Sequence, residues 1–217
     1  MRNLLLPALA ALAASALAFG QASPAIQDGF YQVGYAVNLT VGDSVVNLSN
    51  DGFNGGPGNG TVGNICANTY VFDPQEEEVS CCSCLVTPNG LNSLSATKDL
   101  ISDTLTPAIP TSIVIKLVSS VPGQDSTHNL TVCNPATVNA NILAEGLVAW
   151  GSTLEPDLTP GTYEVVQAPF LQGSLNTASN NPELTALTTV CGFIQANGSG
   201  FGVCNSCRTG ALGGTKN

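Results

Sequence analysis

The chain has 217 residues, 43% hydrophobic, 9% charged and 6% aromatic, a length that suits one domain, or two small ones, and is ample for a real core. Asn, Ser and Thr number 58 against 20 charged residues, unlike a coiled coil, and a mean hydropathy of +0.23 excludes charge-driven disorder. Fifteen acidic and five basic residues give a net charge of -10, which argues against a nucleic-acid partner.

Residues 1–22 read as a signal peptide. Arg2 supplies the positive end, Leu4 to Phe19 are mostly apolar, and Ala18-Phe19-Gly20 or Gly20-Gln21-Ala22 offers a cleavage site. The apolar stretch is short for a span of about 20 residues, and no later run approaches that length, so no membrane span is expected. Cleavage removes Arg2 and takes the net charge from -10 to -11. Residues 23–217 are then expected as a single exported β-rich domain, extracellular or periplasmic.

Tyr31 to Val41 alternates apolar and small or polar residues with a period of two, which predicts a strand with one buried face. Gly42-Asp43 reads as a tight turn and Ser44 to Ser49 as the returning strand of a hairpin. A glycine-rich loop spans Asp51 to Gly63. Ile65 to Phe72 is β-branched and aromatic, hence a strand, and Asp73-Pro-Gln-Glu-Glu-Glu78 turns the chain into another, Val79 to Val86. Leu91 to Leu105 fits both periods. Thr111 to Val118 is a strong strand. Ala136 to Trp150 carries Val138, Ile142, Leu143, Leu147 and Trp150 at helical spacing, with Asn134 or Thr137 as cap. Tyr163 to Gln167 is a short strand, Pro182 to Cys191 a short helix capped by Asn181, and Gly192 to Val203 a closing hairpin. The fold class expected is mainly β, an antiparallel sandwich-like domain stapled by disulfides, with one or two short helices in the C-terminal half.

Eight cysteines follow the signal peptide: Cys66, Cys81, Cys82, Cys84, Cys133, Cys191, Cys204 and Cys207. An even set in an exported chain reads as a disulfide framework, whose pairing spacing cannot choose. In a strand, Cys82 and Cys84 face one side and Cys81 the other, and the adjacent Cys81 and Cys82 each reach a different segment. The alternative is metal: Cys81, Cys84, Cys204 and Cys207 form two Cys-x-x-Cys knuckles of the kind that hold zinc. Their separation of 119 residues, against roughly 15–20 in a compact ribbon, and the oxidising compartment both favour disulfides. No cofactor is expected.

Catalytic material is sparse. His128 is the one histidine; it lies in a polar stretch, Asp125 to Asn129, with no Gly-x-Ser-x-Gly elbow anywhere to partner it. A glycosidase needs only two carboxylates, for which Glu145, Glu155, Asp157 and Glu164 are the stock. The four carboxylates within residues 73–78 make calcium a candidate partner, although the run follows no EF-hand pattern and a solvated turn is the simpler reading. Asn38, Asn47, Asn59, Asn129 and Asn197 begin Asn-x-Ser/Thr triplets.

The blocks Gly63-Asn-Ile-Cys66, Ser80-Cys-Cys-Ser-Cys-Leu-Val-Thr-Pro-Asn89 and Gly198-Ser-Gly-Phe-Gly-Val-Cys-Asn-Ser-Cys207 resemble a group of uncharacterised secreted bacterial proteins. That resemblance implies a bacterial exported protein with silent glycosylation triplets, and it carries over no catalytic or ligand residue. The sequence thus points first to a non-enzymatic extracellular protein, a cell-surface, matrix or adhesive module. A carbohydrate or small-ligand binder is the alternative, with Trp150, Tyr163, Phe170 and Phe201 as the aromatics to test. A carboxylate-dependent hydrolase comes third.

Overall fold

The computed structural model describes residues 29–53, 63–125, 130–175, 181–205 and 208–209. The signal-peptide reading, most of the glycine-rich loop, His128 and Cys207 lie outside them. The chain is mainly β. Its strands are β1 (Tyr31–Ala36), β2 (Val45–Asn50), β3 (Ile65–Phe72), β4 (Glu78–Val86), β5 (Leu91–Ser95), β6 (Ile113–Ser120), β7 (Gly123–Asp125), β8 (Leu130–Val132), β9 (Leu147–Pro156), β10 (Tyr163–Pro169), β11 (Leu171–Gln172) and β12 (Arg208–Thr209). A helix, α1 (Pro182–Ala196), follows β11.

Two five-stranded antiparallel sheets form the body, ordered β11-β1-β6-β3-β4 and β10-β9-β2-β5-β12. Their inner faces share one core, in which Ile65, Ala67, Val71, Ile115 and Leu117 of the first sheet meet Val46, Leu48, Leu94 and Leu147 of the second. β3 and β6 are covered on both sides. Their outward residues Tyr70 and Val118 lie in a second cluster with Leu184, Leu187, Cys191 and Ile194 of α1. The layers are therefore sheet, sheet and helix. The stripe at 184, 187, 191 and 194 has helical spacing, Asn181 Oδ1 caps the start by accepting the Leu184 N–H at 3.0 Å, and Pro182 sits where its missing N–H costs nothing.

Three expectations are corrected. β1 and β2 are not a hairpin, since they belong to different sheets. Asn38 takes a left-handed conformation (φ 56°), which Asn tolerates better than most residues, and its Nδ2 donates to Leu154 O at 2.6 Å. The chain thereby crosses from one sheet to the other. Consequently β1 does not bury the predicted face alone: Gln32 and Ala36 are buried while Tyr35 is 52% exposed. The helix expected over 136–150 is instead two single 3₁₀ turns, Pro135–Thr137 and Ala140–Ile142, followed by β9. Asn134 and Asn139 each cap one of these turns through Oδ1, and such local side-chain bonds compete with a continuous helix. The closing hairpin at 192–203 is absent because α1 continues to Ala196.

Candidate functional site

Disulfides tie the first sheet to the segments on both of its faces. Cys66–Cys133, Cys81–Cys191 and Cys82–Cys204 have Cα separations of 5.5, 5.8 and 5.2 Å, inside the bridging range. Cys84 is also disulfide-bonded, and no described cysteine is free. Cys81 and Cys82 reach different segments, on opposite faces of β4, as the strand geometry requires. The two-knuckle metal arrangement does not form, because Cys81 and Cys204 are spent in separate bridges to residues outside that set.

A cavity of about 490 Å³ opens on the outer face of the first sheet, beside α1. Phe72, Leu105, Leu187 and Val190 give it apolar walls, and Glu76, Glu77, Glu78, Lys116, Glu183 and Thr106 supply polar groups. How Glu78 arrives there is a matter of register. β3 and β4 pair as Tyr70↔Cys81 and Val71↔Ser80, and then shift so that Phe72 opposes Glu78. Without the shift, strict alternation from the outward Cys81 would send Glu78 toward the other sheet. The bulge leaves Val79 in the inner core and turns Glu78 outward, under the helix, as bulges re-aim side chains elsewhere.

Glu78 is 6% exposed, and neither carboxyl oxygen has a hydrogen-bond partner. Its surroundings are unfavourable to charge, and its pKa is pushed up to about 8. Burial is the main cause; Lys116 opposes the shift and Glu183 adds to it. Thr106 Oγ1, on the same wall, is likewise buried without a partner. Glu183 is in a different position. Lys116 Nζ lies 2.6 Å from its Oε1, the Tyr31 hydroxyl bonds to it, and it occupies the first turn of α1, where the helix dipole favours an anion. Burial, with Glu183 beside it, raises the Tyr31 hydroxyl to about 12. Lys116 Nζ also sits 4.4 Å above the Phe72 ring. Tyr70 is raised too, by burial and by Glu78, and its hydroxyl donates to Pro135 O at 2.7 Å.

Glu78, Cys81 and Cys191 bring three ligand-type atoms within 4.8 Å of one another. The two sulfurs are bonded to each other and are not thiolates, so the donor set does not fit a metal. In effect the disulfide is another apolar surface against Glu78.

The residues singled out by sequence are scattered. Glu155 and Glu164 face each other across β9 and β10, where Glu164 is exposed and Glu155 half-buried, while Glu145 is exposed. Asp157 is occupied in its turn, accepting from Leu158 N and Thr162 Oγ1. Asp73 Oδ1 similarly accepts from Gln75 N and Glu77 N, which makes the acidic run a capped turn. Phe170 is buried, Phe201 is 52% exposed and Tyr163 40%; they share no described cavity with Trp150. Asn47 is buried and accepts from Ser93 Oγ at 2.6 Å, whereas Asn197 is exposed. Glu78 itself was hidden in the acidic run, since only the bulge separates it from its solvated neighbours.

Comparison with known proteins returned no matching family model, curated protein or solved structure.

Proposed function

We propose that the chain is a non-enzymatic exported binding protein: a disulfide-stapled sandwich that takes a small ligand into the cavity between its first sheet and α1. One observation carries this reading. A carboxyl group that is buried, unpartnered and set in an apolar wall is costly unless something pairs with it, and it faces a space of the size that small ligands occupy. Export is supported by the disulfides, which persist in oxidising compartments, together with the N-terminal pattern. No helix among the described residues is long and apolar enough to cross a membrane. The non-enzymatic part rests on the chemistry of the cavity. Glu183 is tied up by Lys116 and Tyr31, and the other cavity carboxylates, Glu76 and Glu77, are exposed in the preceding turn. Among the described residues, the lining holds no His, Ser or Cys to act as base or nucleophile beside Glu78.

The test is a fragment screen read by amide shifts in two-dimensional NMR, on wild type and on Ala186→Trp. Ala186 lies at the cavity rim and is exposed, so the indole fills the space at little cost to the fold. Binding that perturbs Phe72 and Glu78 and disappears in the Trp variant is the expected result. Shifts confined to other surfaces, or unchanged by Ala186→Trp, would sink the proposal.

A second reading, a surface or adhesive module, is favoured by β10. This edge strand leaves Val165 68% exposed and Tyr163 40% exposed, and an uncovered edge is a template for another strand.

A further inference from the structure

Resting on that cavity reading, we infer that the ligand is a primary or secondary amine with an apolar body, its cationic nitrogen placed against the Glu78 carboxyl. Four features of the cavity lead there. Its charge is lopsided: Glu76, Glu77, Glu78 and Glu183 line it against the single cation Lys116. That cation is already committed, to Glu183 at 2.6 Å and to the Phe72 ring at 4.4 Å, so it is poorly placed to receive an anion. The two polar groups left without partners, the Glu78 carboxyl and Thr106 Oγ1, are both acceptors for an ammonium donor, and a carboxylate is the stronger when charged. The walls around them are apolar and suit a hydrocarbon body.

The groups that face Glu78 are Glu76 and Glu77 from the preceding turn, Tyr70 from β3, Lys116 from β6 and Glu183 from α1. An incoming ammonium adds the positive charge that this set lacks. Glu78 then ionises, its proton going to buffer, and the ion pair forms inside the cavity. Binding is therefore linked to proton release.

The experiment uses n-hexylamine, n-hexanol and hexanoate as probes, by titration calorimetry on the full mature protein at pH 7 in two buffers of different ionisation enthalpy. Hexylamine should bind tightest, with about one proton released per amine. Glu78→Gln should weaken it roughly ten- to a hundredfold while leaving hexanol unchanged, with circular dichroism checking that the variant is folded. If that variant does not fold, the proton count on wild type decides the matter by itself. Hexanol binding as well as hexylamine, blocked by Ala186→Trp, would overturn the amine assignment and leave the cavity reading standing. Binding of none of the three also overturns the assignment; if the wider fragment screen is negative as well, both readings fall together.

Discussion

Replacing Glu78 with Gln should make the protein more stable at neutral pH and change little at pH 5. The sign follows from the direction of the shift. Burial raises the folded-state pKa to about 8 from an ordinary value near 4.5, so the native state holds a proton that the unfolded chain releases over that interval. Stability is therefore complete below the unfolded value, falls as pH rises between the two, and levels off above pH 8. Each pH unit inside the window costs about 1.4 kcal/mol, which amounts to roughly 3 kcal/mol between pH 5 and pH 7. That is a large share of the 5–15 kcal/mol typical of a domain. Gln is nearly isosteric and cannot ionise, so the variant escapes this loss. Urea denaturation with disulfides intact, on both proteins at both pH values, isolates the difference because every other titrating group cancels. The stability gap between variant and wild type should move by roughly 3 kcal/mol in favour of Gln from pH 5 to pH 7. A gap constant within about 0.5 kcal/mol would show that Glu78 is solvated and that the cavity wall described here is wrong.

Mass spectrometry of unreduced peptides should recover Cys66–Cys133, Cys81–Cys191 and Cys82–Cys204; a peptide joining Cys81 to Cys84, or Cys204 to any cysteine but Cys82, would contradict this map. Gln32 is fully buried and donates through Nε2 to Leu147 O and Gly29 O, so Gln32→Glu should cost several kcal/mol in a urea titration, whereas Tyr35→Asp, at a half-exposed position, should stay within about 1 kcal/mol. A Cβ on Gly34 would meet the Phe170 ring at 2.5 Å, so Gly34→Ala should destabilise by about 1–3 kcal/mol, with partial recovery when Phe170 is shortened to Leu. Asn181→Ala removes the α1 cap and should lower stability by about 1 kcal/mol, without altering the disulfide map.

Much of the strand content was legible because period-two alternation and β-branched runs are local properties: β3, β4, β6 and β10 fall where they were expected. The sheet to which a strand belongs is not local. Tyr31, Val33 and Tyr35 looked like the one core face of β1, yet Gln32 lies between the sheets because its amide finds the Leu147 carbonyl across the interface. Sequence alternation cannot reveal a layer on the second face, and here α1 and its neighbours provide one. The stretch 136–150 misled for a similar reason, since apolar spacing alone could not register the two Asn caps that break it into turns. The disulfide framework was legible as a set but not as a map. The candidate site was least legible, because it depends on a single inserted residue, Val79, that reverses the facing of Glu78 against the alternation on either side.

The β4 edge has a consequence for association. Cys81 N donates to Gly202 O, Cys204 N donates to Cys81 O, and the Cys82–Cys204 bridge locks that segment in place. Backbone groups of β4 are thus engaged by other segments at Val79, Cys81 and Leu85, and β11 at the other end of the first sheet offers only two residues. In the second sheet β12 is equally short, which leaves β10 as the long uncovered margin among the described residues. A molecule with two such margins can add copies at both ends and grow without limit. With one, edge-to-edge joining consumes that margin on both partners and terminates as a two-fold pair, so pairing through β10, the one long margin among the described residues, would stop at two copies.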